Sequence, residues 1–196
     1  MGVYLVSIDG REWFGEEEGG HAAVASALNE ELRRRGLPAY DSVGGPGAGS
    51  PAARGWFEEK VFPPMDGFEA WCREHLGEAE RETLYGWTVL VPPSLEERVE
   101  LPYGSGYWEE TVIAGAPQVL AAAERLATAV GLPLDLVPAT GGNLELTLWF
   151  FEGGAAEAAE SRPGPWSEDL DAAFYTAVYL RAAQYSLRHG CPMVYS

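Results

Sequence analysis

Arg181 is the residue whose surroundings most demand an explanation. It stands in the middle of the segment 170–189, where Leu170, Phe174, Ala177, Val178 and Tyr185 share one helical face and Ala173, Leu180, Ala183 and Leu187 widen the apolar surface. A guanidinium in that setting must reach solvent along its stem or find a carboxylate or a ligand anion, because an unpaired buried charge is costly. Asp9, Glu109 and Glu145 are the acids proposed as its partner. A structural ion pair is the simpler reading. The sharper one is an anion-holding pocket that Gln184 and Tyr185 extend.

A second group is Tyr103, Tyr107, Trp108, Glu109 and Glu110, in a Gly-rich stretch. Aromatic rings supply contact energy and carboxylates set orientation, so the mixture suits a binding surface; it equally suits a loop folded onto the core. Glu109 and Glu110 are adjacent and would point to opposite faces of a strand, so they do not form an acid–base pair. Trp13-Phe14-Gly15 before Glu16–Glu18 has a similar character, and reads first as an apolar anchor ahead of an acidic helix start.

No sequence motif with a defined mechanism occurs. The phosphate-binding loop, the dinucleotide fingerprint, the zinc-protease helix, the nucleophile elbow and the calcium loop are all missing from the sequence. His21, His75 and His189 are widely separated, and none neighbours a second ligand at metal spacing. The expectation is a protein without catalytic residues, metal ligands or cofactor.

Charge narrows the partners. Thirteen Lys and Arg face thirty Asp and Glu, for a formal net charge of −17. A field of that sign repels phosphate backbones and anionic lipid, so neither nucleic acid nor a membrane surface is expected. The one dense basic run, Arg33–Arg35, closes a predicted helix, where positive charge complements the helix terminus. All the cations except Lys60 are arginine, which with the Ala and Gly abundance fits a GC-rich, bacterial coding sequence. Two isolated cysteines, Cys72 and Cys191, are no disulfide framework, and neither a signal-peptide pattern nor an 18-residue apolar span is present. A cytoplasmic location is therefore expected.

The elements that must position these residues follow from periodicity and punctuation. Residues 3–8 read as a strand apolar on both faces, 87–91 as a second strand closed by Pro92-Pro93, and 57–62 as a third. Helices are expected over 21–35, 66–75, 78–84 and 117–130, the first and last stopped by Gly-Leu-Pro. A short helix is expected from 94. Leu134–Val137, Gly141-Gly142-Asn143 and the alternating Leu144–Phe151 predict a β-hairpin. Ser167 is expected to cap a long helix ending at Gly190, and Met193–Tyr195 to add an edge strand. Residues 44–55, rich in Gly and Pro, read as a flexible loop within one domain spanning 1–196.

This order predicts a single α+β domain, with a mixed or antiparallel sheet packed against helices that include a long apolar C-terminal one. The functional expectation is an acidic intracellular protein-binding module, immunity-like or scaffolding, that engages a basic partner. The alternative is a small-molecule-binding protein or enzyme built around Arg181.

Overall fold

The computed structural model describes residues 2–15, 20–43, 56–102, 104, 109–139 and 143–196. Among them, six strands make one mixed sheet. They are β1 (Val3–Ser7), β2 (Glu58–Val61), β3 (Val89–Val91), β4 (Val99–Leu101), β5 (Thr111–Gly115) and β6 (Met193–Tyr195), in the spatial order β2-β1-β6-β3-β5-β4. The β3–β5 ladder is parallel and the other four are antiparallel. This is the α+β architecture expected from the order of elements.

Strands β3, β5 and β6, and the Leu5–Val6 part of β1, carry apolar residues on both sides because both faces of the sheet are covered there. Strand alternation sorts their residues into two cores. Leu5, Leu90, Ala114 and Met193 enter one, while Val6, Val89, Val91, Ile113 and Val194 enter the other. The second core is closed by α1 (Gly10–Phe14) and α2 (Ala22–Arg34) through Trp13, Val24, Leu28 and Leu32. The first is larger. It takes α3 (Asp66–His75), α4 (Glu78–Tyr85), α5 (Ala116–Val130), α6 (Glu145–Phe151), α7 (Gly154–Ser161) and α8 (Leu170–His189).

Helix α8 is the spine of that layer. Fourteen of its twenty residues are buried, which explains why its apolar residues do not confine themselves to one stripe. Its alanines let α5 approach closely, and its buried hydroxyls are satisfied: Thr176 donates to the Ala172 carbonyl and Ser186 to the Cys191 carbonyl. Gly131 and Gly190, at φ 68° and 61°, end α5 and α8 in the left-handed conformation that the sequence punctuation implied.

Several expectations need correction. The cap of α8 is Asp169, whose carboxylate accepts from Ala172 N, because the Ser167 hydroxyl is engaged with Gly164 in a 3-10 turn at Pro165–Ser167. Residues 94–97 form no helix; Gln118 accepts from Leu95 N and donates to the Ser94 hydroxyl, holding the segment open ahead of β4. Residues Glu145–Phe151 are helical, so the hairpin does not form. Residues 141–142 and the 44–55 segment lie outside the described residues. Cys72 and Cys191 are separate buried thiols.

The largest correction concerns the end of the chain. Strand β6 is central rather than peripheral, pairing antiparallel with β1 on one side and β3 on the other. Tyr4 and Ser196 exchange reciprocal backbone hydrogen bonds of 2.8 Å, so the two ends of the sequence are zipped together. Removing residues 191–196 should therefore abolish cooperative unfolding rather than lower its midpoint modestly. Thermal unfolding followed by near-ultraviolet circular dichroism checks this; a truncated chain with a sharp transition would contradict it.

Candidate functional site

Arg181 is buried, at 8% exposure, and its hydrogen bonds among the described residues go to neutral oxygens rather than to a carboxylate. Nε donates to the Pro138 carbonyl, Nη2 to those of Leu134 and Val137, and Nη1 to the Gln184 side chain, at 2.7–3.0 Å. The turn after α5 presents converging carbonyls, and the rigid guanidinium fork matches them. The carboxylate partner expected from sequence is thus replaced by a loop. Burial and the nearby Arg188 charge both lower the proton affinity of this group.

The other predicted residues fall elsewhere. Tyr185 packs its ring on Phe57 and His189, at centroid distances of 5.6 and 4.2 Å. It lines a cleft of about 350 Å³ with Ser7, Asp9 and Cys191 at the end of β1. Two polar groups of that cleft already have structural tasks: Asp9 caps α1 by accepting from Arg11 N and Glu12 N, and the Ser7 hydroxyl accepts from Phe57 N. Glu109 and Glu110 are exposed just before β5, whereas Tyr103, Tyr107 and Trp108 lie outside the described residues. Trp13 is a core residue stacked near His21 and Tyr40. No three His, Cys, Asp or Glu side chains gather around a common point among the described residues.

A different cluster, at the β2 edge, emerges from the geometry. Glu59 is fully buried on β2, and its carboxylate accepts from Leu146 N, Thr147 N and the Thr147 hydroxyl at 2.7–2.9 Å. These amides belong to the first turn of α6, which would otherwise be unsatisfied because Leu144, at φ 58°, offers no capping side chain. Two further bonds complete the clamp: Leu144 N donates to the Glu58 carbonyl, and Lys60 N donates to the Thr147 hydroxyl. Helix α6 therefore blocks the open edge of β2 and is fixed to it. Burial raises the Glu59 proton affinity above the ordinary carboxylate range, outweighing the three hydrogen bonds that lower it.

What the clamp holds outward is a face of large apolar side chains. Phe62, Leu148 and Phe151 are 52, 45 and 39% exposed. Leu148 and Phe151 lie three residues apart on one side of α6, and Phe151 meets Phe62 at a centroid distance of 4.6 Å. Phe151 also packs on Phe174 of α8, at 5.1 Å, which ties the surface rings to the core. Glu145 and Glu152 flank this face, both exposed, and the ammonium of Lys60 sits 5.4 Å from the Phe62 ring centroid. Sequence reasoning passed over these residues because it placed Leu148 and Phe151 in a strand. The usable signal was Glu59, an acid at an inward-facing strand position.

Two outcomes follow. Replacing Arg181 with Met should cost about 2–4 kcal/mol, because three carbonyls lose their donor while the helix keeps its volume; urea denaturation measures it, and a neutral result would mean the loop is satisfied otherwise. For Glu59, the folded-state pKa is raised, so the proton binds the folded chain more tightly. The stability this contributes is complete below the ordinary value of 4.5 and is lost as pH rises through the folded value. The stability difference between wild type and Glu59→Gln should accordingly narrow as pH rises from about 4.5, and a gap that widens would reverse the assignment. Scans of the chain against protein-family models, curated proteins and solved structures return no match.

Proposed function

We propose that the chain is a protein-binding module for a cationic protein segment with apolar anchors, which docks on the face formed by Phe62, Leu148 and Phe151. The observation that carries this reading is the adjoining pair of exposed rings, held on a clamped helix and flanked by Glu145 and Glu152. Exposed aromatic residues are the anchors that dominate association energy, and isolated examples need no explanation, but a contiguous group does. The clamp matters because a preorganised face loses less conformational entropy on binding.

Charge selects the partner. A net charge of −17 speeds encounter with a basic segment, and the carboxylates beside the rings orient it. Lys60, whose ammonium sits 5.4 Å from the Phe62 ring centroid, is a local positive charge that a basic partner must accommodate, so Glu145 and Glu152 supply the attraction for its arginines. Masking or scaffolding a basic protein asks for no catalytic group. Arg181 favours this reading over an anion pocket, since its donors are engaged by Leu134, Val137, Pro138 and Gln184.

The test uses a peptide alternating arginine with leucine, compared with one in which serine replaces leucine. The Phe62→Ser/Leu148→Ser double variant should remain folded with a stability loss of about 1–3 kcal/mol, because both side chains are about half buried and Phe62 packs on Phe151. Its affinity for the leucine peptide should fall about tenfold or more, and wild-type affinity should drop as salt rises. A Leu37→Ser control, altering an exposed apolar residue elsewhere, should bind like wild type. Equal binding by the double variant, or indifference to salt, would defeat the proposal.

A further inference from the structure

A second cleft, of about 460 Å³, lies at the opposite end of β1 from the one beside Tyr185, and it has an unusual lining. Tyr85, Trp87, Tyr175, Tyr179 and Tyr195 contribute to its wall, with Glu69 of α3 as a carboxylate. The Trp87 and Tyr179 planes meet at 75° with centroids 5.7 Å apart, while Trp87 and Tyr195 are 5.4 Å apart at 34°. Tyr175 stacks on Tyr179 at 26°. Trp87, Tyr175 and Tyr179 are only 3, 3 and 2% exposed and pack on one another, so the ring surface offered to this space is that of the half-buried Tyr85 and Tyr195.

The polar ends of these rings are largely consumed by the protein. Tyr179 and Tyr195 share a hydrogen bond of 3.1 Å between their hydroxyls, Tyr175 donates to the Pro63 carbonyl at 2.7 Å, and the Trp87 indole donates to the Leu84 carbonyl at 2.9 Å. Burial raises the pKa of all four tyrosines, Tyr175 to about 12, so the phenols are neutral at physiological pH. The formal negative charge in the lining is therefore that of Glu69. Its neighbour Arg73 is 3.5 Å away, but both side chains are substantially solvated and the pair is correspondingly weak. Arg73 and Arg81 influence Tyr85 electrostatically without lining the cleft.

We infer that this cleft binds a trimethylammonium group. An aromatic wall attracts a cation through the ring quadrupoles, and a quaternary ammonium has no N–H donors that must be satisfied there. A primary ammonium carries three N–H donors to satisfy and a stronger hydration shell to lose, so it gains less from the same wall. A neutral apolar ligand would gain the contact area but neither the quadrupole attraction nor the Glu69 charge. The inference does not depend on the docking face. The group could arrive on a small molecule such as choline or on a trimethylated lysine, and the chemistry recognised is the same.

Calorimetric titration with choline, with its neutral isostere 3,3-dimethyl-1-butanol and with a short trimethyllysine peptide tests the assignment, with the Trp87 indole N–H resonance as the local reporter. Choline or the trimethyllysine peptide should bind and shift that resonance, the stronger of the two identifying the source, and the isostere should bind about tenfold more weakly. Tyr85→Leu, which keeps apolar volume and removes a ring quadrupole, should weaken binding of the cation about tenfold without a comparable effect on the isostere. Glu69→Gln alters an exposed side chain, should fold normally, and should weaken the cation several-fold. Equal binding of choline and its isostere, absence of binding by both cations, or insensitivity to Glu69→Gln would each overturn the assignment.

Discussion

The structure depends on one piece of backbone pairing, the insertion of β6 between β1 and β3. Without it the sheet is two fragments, β2-β1 and β3-β5-β4, neither broad enough to cover the α8 layer. The pairings of β6 join Leu5 to Tyr195 and Val89 to Val194, so the fold relies on contacts of very long sequence separation. Everything at the β2 edge inherits that dependence. β6 fixes β1, β1 fixes β2, and Glu59 on β2 fixes α6. The exposed rings are the last link of a chain that begins at Ser196.

Helix α6 shows why a buried carboxylate can persist in a protein already rich in negative charge. A helix of seven residues does not hold itself together in water, and its first amides need acceptors from elsewhere. Glu59 supplies them at the cost of its own desolvation, which its raised pKa records. Arg181 performs the mirror-image task, donating to carbonyls beyond the end of α5. Both charges act as clasps for irregular backbone rather than as reactive groups. The chemistry that looks most available in the sequence is thus spent on architecture, while the surface left over is aromatic, aliphatic and acidic.

Much of the fold was legible because its signals are local. Helix stops at Gly131 and Gly190 follow from left-handed glycine, and the apolar runs at Val3–Ser7 and Val89–Val91 follow from burial on both faces. What failed were assignments that depend on distant partners. Leu144, Leu146, Leu148 and Phe150 alternate like a strand, but Leu146 and Phe150 also stand one helical turn apart, and a cap from residue 59 decides between the two. Met193–Tyr195 gives no sequence sign of its place in the sheet, because a three-residue strand looks the same at the edge and the centre. The candidate site was less legible than the fold: Tyr185 and Arg181 were picked out for being unusual, and each proved to be packed into the interior, while Phe62, Leu148 and Phe151 are ordinary residues made notable by where they are exposed.

The most direct test of the docking account is to map the contact itself. Titration of the isotopically labelled chain with the arginine–leucine peptide, followed by amide and aromatic chemical shifts, should perturb residues 60–62 and 145–152 first and most strongly, including the Phe62 and Phe151 rings. Perturbations spread evenly over the acidic surface, or concentrated on α2 and the far side of the sheet, would show that charge alone attracts the peptide and that this face is not its site.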